Sequence, residues 1–195
     1  MKKEKVSSKK REQIIDSTIK LMQKVGFEDS TIRMICDVAN ISIGTFYHYF
    51  NDKQDLLNAI LKRIDTYLTE EVEPTLTDEN ELENLLKFAA AFAQDTKQTG
   101  SIYGGIISTS LIPLPNTPEE IRKERLRPLY HLPAAIIKRG QEKNQFSRDF
   151  EPEELADKLI MSLRGCAMEW ARRNYHYDIE AYIADYLRMF SKILY

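Results

Sequence analysis

The chain is short of the residues that mark a disulfide scaffold, a metal ribbon or a membrane span. It has 2 cysteines in 195 residues, Cys36 and Cys166. They lie far apart and neither has a CxxC neighbour, so a disulfide framework and a zinc ribbon are excluded. Both sit in apolar helical patterns, where free thiols in a reducing compartment are expected. No run approaches the ~18 apolar residues of a membrane span. The start, MKKEKVSSKKRE, is charged with no apolar stretch behind it, unlike a signal peptide. A cytoplasmic location without membrane attachment is expected. Catalytic signatures are missing too: there is no HExxH, no ExxH pair, no glycine-rich phosphate loop and no nucleophile elbow. The histidines His48, His131 and His176 are scattered. No catalytic residue, metal ligand or cofactor is therefore assigned. Net charge is almost absent as well, at −2, which taken whole disfavours a strongly basic nucleic-acid binder.

That near-neutral total hides a division. Residues 1–63 carry 12 basic and 8 acidic side chains, a net of +4, and residues 64–195 carry 16 and 22, a net of −6. The front third suits an anionic partner and the remainder does not. Proline is missing before Pro74, so the first third can form helices without interruption. Ile14, Ile15, Thr18, Leu21, Met22 and Val25 recur at helical spacing, and Gly26 reads as the stop. A short helix follows Ser30 or Thr31 with Ile32, Ile35, Cys36 and Ala39 on its apolar face, and Asn40 ends it. Ser42 caps another through Phe50, and Asn51-Asp52 opens a fourth.

Beyond Pro74 the helices lengthen. Leu82, Leu85, Leu86, Ala89, Phe92 and Ala93 form one stripe. Residues 100–118 are broken by glycine and proline, and IYGGIIST within them reads as a short or broken helix. Glu119 to Gly140 reads as helix kinked at Pro128 and Pro133. Glu153–Arg173 and Ile179–Leu194 read as two long helices. The chain is thus all-α, with about nine helices.

The sharpest local signal is TIRMICDVANISIGTFYHYFNDK. Two short amphipathic helices joined by Asn40-Ile41-Ser42 have helix-turn-helix form, in which the second helix enters the major groove of DNA. Phe46 and Phe50 anchor that helix inward, leaving Thr45, Tyr47 and Tyr49 outward, with His48 facing solvent or near phosphate. Gly44 has no side chain to hold DNA off the backbone. Ser42 leaves the helix N-terminus open to a phosphate.

The segment GFEDSTIRMICDVANISIGTFYHYFNDKQDLL resembles the DNA-binding domain of the TetR family of bacterial transcriptional regulators. The likeness rests on Gly26-Phe27, Thr31, Ser42-x-Gly44-Thr45-aromatic-Tyr47, Phe50, Lys53 and Leu56-Leu57. It departs at Cys36, where the family favours alanine, and at Asn40, where glycine is usual. The resemblance implies an N-terminal three-helix helix-turn-helix DNA-binding domain at residues 1–69, with the motif at about 31–50. It further implies a larger C-terminal helical domain at 70–195 for effector binding and dimerisation. A homodimer through the two C-terminal helices would bind double-stranded, palindromic operator DNA and, acting as a repressor, be released by an unidentified small molecule. By position, Arg33 and Thr45 would reach base edges and Ile43 a thymine methyl. Thr31, Tyr47, Tyr49 and Lys53 would contact phosphates. Lys2, Lys3, Lys5, Lys9, Lys10 and Arg11 would add attraction independent of sequence.

In the second part, Leu155, Leu159, Leu163, Cys166 and Trp170 make one stripe, and Ala156, Ile160, Ala167 and Ala171 make a second. The last helix carries Ile179, Tyr182, Ile183, Tyr186, Leu187 and Phe190. Faces this wide suit a four-helix interface of two helices per subunit, with Gly165 and Ala167 allowing close approach. A ligand pocket is expected among the middle helices from Phe88, Phe92, Tyr103, Tyr130, His131, Met161 and Trp170, which combine aromatic surface with a few polar tips. The competing readings are a helical enzyme and a protein-interaction module without DNA binding.

Overall fold

The computed structural model describes residues 2–26, 29–99 and 117–195. Every regular element among these residues is helical, and nine of them are α-helices. The chain divides into two compact units, Met1–Ile64 and Asp65–Tyr195, the division falling inside the fourth helix.

The first unit holds α1 (Lys2–Val25), α2 (Ile32–Ala39), α3 (Ile43–Tyr49) and the greater part of α4 (Lys53–Tyr67). Its boundaries follow from local chemistry. Gly26 ends α1 at φ +81°, with its N–H donating to the Met22 carbonyl. Thr31, not Ser30, caps α2: its hydroxyl oxygen accepts from the Met34 N–H at 3.2 Å. Asn40 closes α2 in the left-handed region at φ 51°, which asparagine tolerates better than larger residues. Ser42 caps α3, and the Asp52 carboxylate accepts from the Asp55 N–H at 2.7 Å at the start of α4. Ile14, Ile15, Ile35, Phe46, Phe50, Leu56 and Leu57 are all but sealed from solvent and form the core of this small unit. Arg11 lies over the Phe50 ring, 5.1 Å from its centre.

The second unit continues from the last turn of α4 through a π-helical turn, Leu68–Val72, and a 3-10 turn, Glu73–Thr75. Then come α5 (Glu81–Thr99), α6 (Pro118–Arg125), α7 (Pro128–Glu142), α8 (Pro152–Arg172), α9 (Ile179–Phe190) and a final 3-10 turn, Ser191–Ile193. Here the expectation of one kinked helix over Glu119–Gly140 is corrected. There are two helices, and Pro128 begins the second instead of bending the first. Arg127, just before it, is extended at φ −68°, ψ 144°. A residue preceding proline is driven out of the helical region, while the proline itself suits the first helical position. Pro118 and Pro152 start α6 and α8 in the same way. Pro133 does sit inside α7. The predicted helix at 102–109, the Gly104-Gly105 pair and Tyr103 lie outside the described residues.

Helix α7 packs along α8, and α5 packs against α7 and α9. Leu85, Phe88, Leu132, Ile136, Leu159, Leu163, Ile183 and Leu187 fill the interior. Ion pairs tie helices together within this unit, among them those of Asp65 and Glu81. Arg127 grips Asp65 through two hydrogen bonds of 3.0 and 3.1 Å, joining the start of α7 to the last turn of α4. Glu81, only 1% exposed, accepts from Arg139 at 3.0 Å on both oxygens, from Lys143 at 2.8 Å and from Asn84 at 2.9 Å.

Candidate nucleic-acid interface

In the first unit, α2 and α3 form a helix-turn-helix whose surface is set by α3. Phe46 is completely buried, and Phe50, just past the helix, is buried beside it with ring centres 5.6 Å apart. These two anchors fix the rotation of a seven-residue helix. Ser42, Ile43, Gly44, Tyr47 and His48 are thereby left exposed, and Thr45 and Tyr49 half-buried. Ile43 and Tyr47 keep 51% and 53% of their surface open. Tyr47 stands edge-on to Phe46 at 5.5 Å, and His48 edge-on to Tyr49 at 5.0 Å. Thr31 and Arg33 are exposed at the start of α2, and Lys53 is half-buried at the start of α4. The ten residues singled out as DNA contacts thus lie at the α2–α3 motif and the first residue of α4.

Ser42 does more than cap. Its oxygen accepts from the Thr45 N–H at 3.1 Å and lies 2.9 Å from the Thr45 hydroxyl. Gly44 is equally informative. A Cβ built there would meet only the Ser42 hydroxyl at 3.8 Å, so nothing inside the protein requires glycine. Two acidic groups of this unit are occupied locally. Asp55 accepts from the backbone and side chain of Asn51 at 3.0 and 2.9 Å, and Asp16 pairs with Arg63 at 2.5 Å.

The ligand candidates of the second unit are dispersed. Phe88 and Phe92 are buried one turn apart on α5. Trp170 is buried, donates its indole N–H to the Tyr177 carbonyl at 2.7 Å, and meets the Tyr175 ring at 4.6 Å. His131 is half-buried. Met161 is 71% exposed on the outer side of α8 and does not share the interior with Phe88 and Phe92. Tyr130 donates to Glu124 at 2.9 Å and accepts from Arg164 at 2.6 Å. Burial pushes its phenol up to about 12, against the pull of the Arg164 charge. Arg164 and Glu124 were not foreseen. The Arg164 guanidinium lies 5.2 Å from the Tyr130 ring centre, and its buried Nε has no hydrogen-bond partner. The readable signal was a charge at a buried register, one residue past Leu163. Among the described residues no cluster of three His, Cys, Asp or Glu is placed to hold a metal, and no helix is long and apolar enough to cross a membrane.

Residues 14–60 match the family described as bacterial regulatory proteins, tetR family. The HTH-type transcriptional regulator BetI of Escherichia coli is 39% identical over 67 residues, which span 34% of this chain and 34% of BetI. The match therefore covers about a third of the length of the curated relatives. Over nearly the whole chain the fold is that of solved regulators. FadR of Bacillus subtilis, in complex with stearoyl-CoA, aligns with a TM-score of 0.77 at 18% identity, covering 94% of this chain and 98% of FadR. FadR of Thermus thermophilus, in complex with lauroyl-CoA, aligns with a TM-score of 0.66 at 24% identity, covering 95% of each. These relatives are transcriptional regulators, not enzymes.

Proposed function

We propose that this protein, whose residues 14–60 carry the tetR-family helix-turn-helix, is a DNA-binding transcriptional regulator that represses from a palindromic operator as a homodimer. Residues 1–69 bind DNA, and residues 70–195 dimerise and take a small effector. The observation that carries this reading is the surface of α3. Two buried phenylalanines turn Ser42, Ile43, Gly44 and Tyr47 to solvent, and the exposed glycine serves no internal packing. Arg33 and Thr45 face base edges, and Thr31, Tyr47, Tyr49 and Lys53 face phosphates.

Dimerisation is supported by the open apolar residues of α8 and α9, Met161, Met168, Tyr182 and Met189, with Ile193 just beyond. The two wide stripes expected to form the interface are largely consumed by the unit's own core: Leu155, Leu159, Leu163, Ala156, Ile160 and Ala167 are buried within one chain. The interface is a third strip beside them. Two recognition helices held about 34–36 Å apart would enter successive major grooves, and an effector that changes this separation releases the operator. Because two FadR proteins of this fold were solved with acyl-CoA, fatty acyl-CoA is the first effector to assay.

The test is an electrophoretic shift of the full-length protein on duplex DNA from upstream of its own gene. Retarded bands that fade with rising salt are expected, and no shift at low salt would sink the reading. Lys53→Ala is expected to weaken all duplexes alike and to reduce the slope of log affinity against log salt by about 1.

A further inference from the structure

Resting on the effector reading above, we infer that the second unit recognises the anionic group of an acyl effector through the Nε–Nη2 edge of Arg164. That group is a carboxylate or a phosphate, and Tyr130 is the residue that positions the guanidinium for it.

The first ground is the state of this arginine beside others of its unit. A guanidinium presents two parallel N–H groups along its Nε–Nη2 edge, a match for two oxygens of a carboxylate or phosphate. Arg127 uses that edge on Asp65 at 3.0 and 3.1 Å, and Arg139 uses it on Glu81 with both bonds at 3.0 Å. At Arg164 the same edge grips no carboxylate among the described residues. Its Nε is buried without a hydrogen-bond partner, and Glu124 Oε1 lies 3.9 Å from Nη2, beyond hydrogen-bond reach. Yet this side chain is no more open to water than that of Arg127, at 21% against 28% exposed. A buried donor without an acceptor is costly, more so on a charged group. The acceptor that fits this edge is a second anion.

The second ground is how the edge is held. Nη1 donates to the Tyr130 hydroxyl at 2.6 Å, and the guanidinium lies 5.2 Å from the centre of the same ring. That hydroxyl donates in turn to Glu124 at 2.9 Å. The far side of the guanidinium is thus tied down by a hydrogen bond and a cation–π contact, and the paired edge is the part left with capacity. Glu124 belongs to α6, which buries none of its residues and also meets α8 through Arg125 and Asp157. Moving α6 aside to admit a ligand therefore withdraws no apolar residue from the core. An arriving anion takes the pairing that Glu124 reaches only at long range.

The experiment titrates the full-length protein calorimetrically, without DNA, with dodecanoate, dodecanoyl-CoA and, as the uncharged control, methyl dodecanoate. At least one of the two anions is expected to bind about 10- to 100-fold more tightly than the ester, the effect of hydrogen bonds to a charged group. The tighter anion tells whether a carboxylate or a phosphate is read. Arg164→Gln, folded by circular dichroism, is expected to bring that anion down to the ester's affinity and to leave the ester unchanged. Arg164→Lys, which keeps the charge but loses the paired edge, is expected to behave like Arg164→Gln. Tyr130→Phe should weaken the anion and not the ester. Glu124→Gln should tighten the anion about three- to tenfold by removing a competing charge. An ester that binds as well as both anions overturns the inference, as does Arg164→Gln weakening ester and anion alike. Both results leave an acyl effector standing. Arg164→Lys binding like the parent assigns recognition to charge alone and overturns the role of the edge. If none of the three compounds binds, the acyl effector falls and the inference with it, while DNA binding is untouched.

Discussion

At the scale of single residues, Gly44 separates what the protein needs from what its partner needs. A glycine inside a helix costs roughly 0.5–1 kcal/mol relative to alanine. A residue tolerated at that cost usually answers to a positive φ or to crowding, and Gly44 has neither: a Cβ there would make only an ordinary contact with the Ser42 hydroxyl at 3.8 Å. Gly140 is the contrast: a Cβ there would lie 2.1 Å from the buried Phe146 ring, so packing alone explains it. Gly44→Ala is accordingly expected to raise stability in urea denaturation by about 0.5–1 kcal/mol and to weaken operator binding at least tenfold in a mobility shift. Equal stability with unchanged binding would remove the close backbone approach from the argument. The caps were legible from sequence because their logic is local. Gly26, Asn40 and Ser42 each act within four residues of themselves. The joint placement of the Ser42 and Thr45 hydroxyls was not legible, since spacing says that two side chains are near but not which branch of threonine turns inward.

Elements were legible where their period was regular and their ends were marked. The first four helices follow from apolar spacing and small polar caps; the structure moves the ends of α2 to α4 by a residue or so, while α1 begins at Lys2, well ahead of the stripe that starts at Ile14. The region after Arg125 was harder for a definite reason. Proline at the first turn of a helix and proline at a kink look alike in one sequence, and only the extended Arg127 shows that Pro128 opens a new helix. Buried charge was also missed, because Glu81 reads as part of a polar first turn. In fact it is the centre of a clasp between α5 and α7. Burial pushes its carboxyl up, but hydrogen bonds from Arg139, Lys143 and Asn84 outweigh that, so its affinity for protons is lowered on folding. A lowered value contributes stability that is complete above the unfolded-state value, ~4.3, and is lost as pH falls through the folded one. The parent protein should therefore be more stable than Glu81→Gln at neutral pH by about 1.5–3 kcal/mol, the range for hydrogen bonds to a charged group. The gap should close on acidification below about 4.3. Thermal melts of both proteins across that range check it, and a gap constant with pH would show that the ionised carboxylate is not what holds the clasp.

For the whole molecule, the proposed function asks how an almost neutral chain would engage DNA. The net of +4 before residue 64 and −6 after it gives each unit its own electrostatic character, and only the first has charge suited to phosphate. One modestly basic unit with a seven-residue recognition helix offers few contacts, so tight binding depends on presenting two at once. Linking a second site makes its engagement intramolecular and raises affinity by roughly 10²–10⁴ without any new kind of contact. On the proposed function, this gives the open apolar residues of α8 and α9 their role. Met161 at 71% exposure and Met189 at 62% are the most open methionines among the described residues, and neither is used by the chain's own core. Met161→Glu and Met189→Glu, each an exposed change on a folded unit, should leave the helical signal and melting temperature of the chain nearly unaltered. They should nevertheless shift sedimentation from dimer toward monomer. Operator affinity should fall at least tenfold in step with that shift, and recover when protein concentration is raised. If both variants remain dimeric, the interface lies elsewhere. If they become monomeric yet bind the operator as the parent does, a single recognition helix suffices, and the bivalent account of this nearly neutral protein fails.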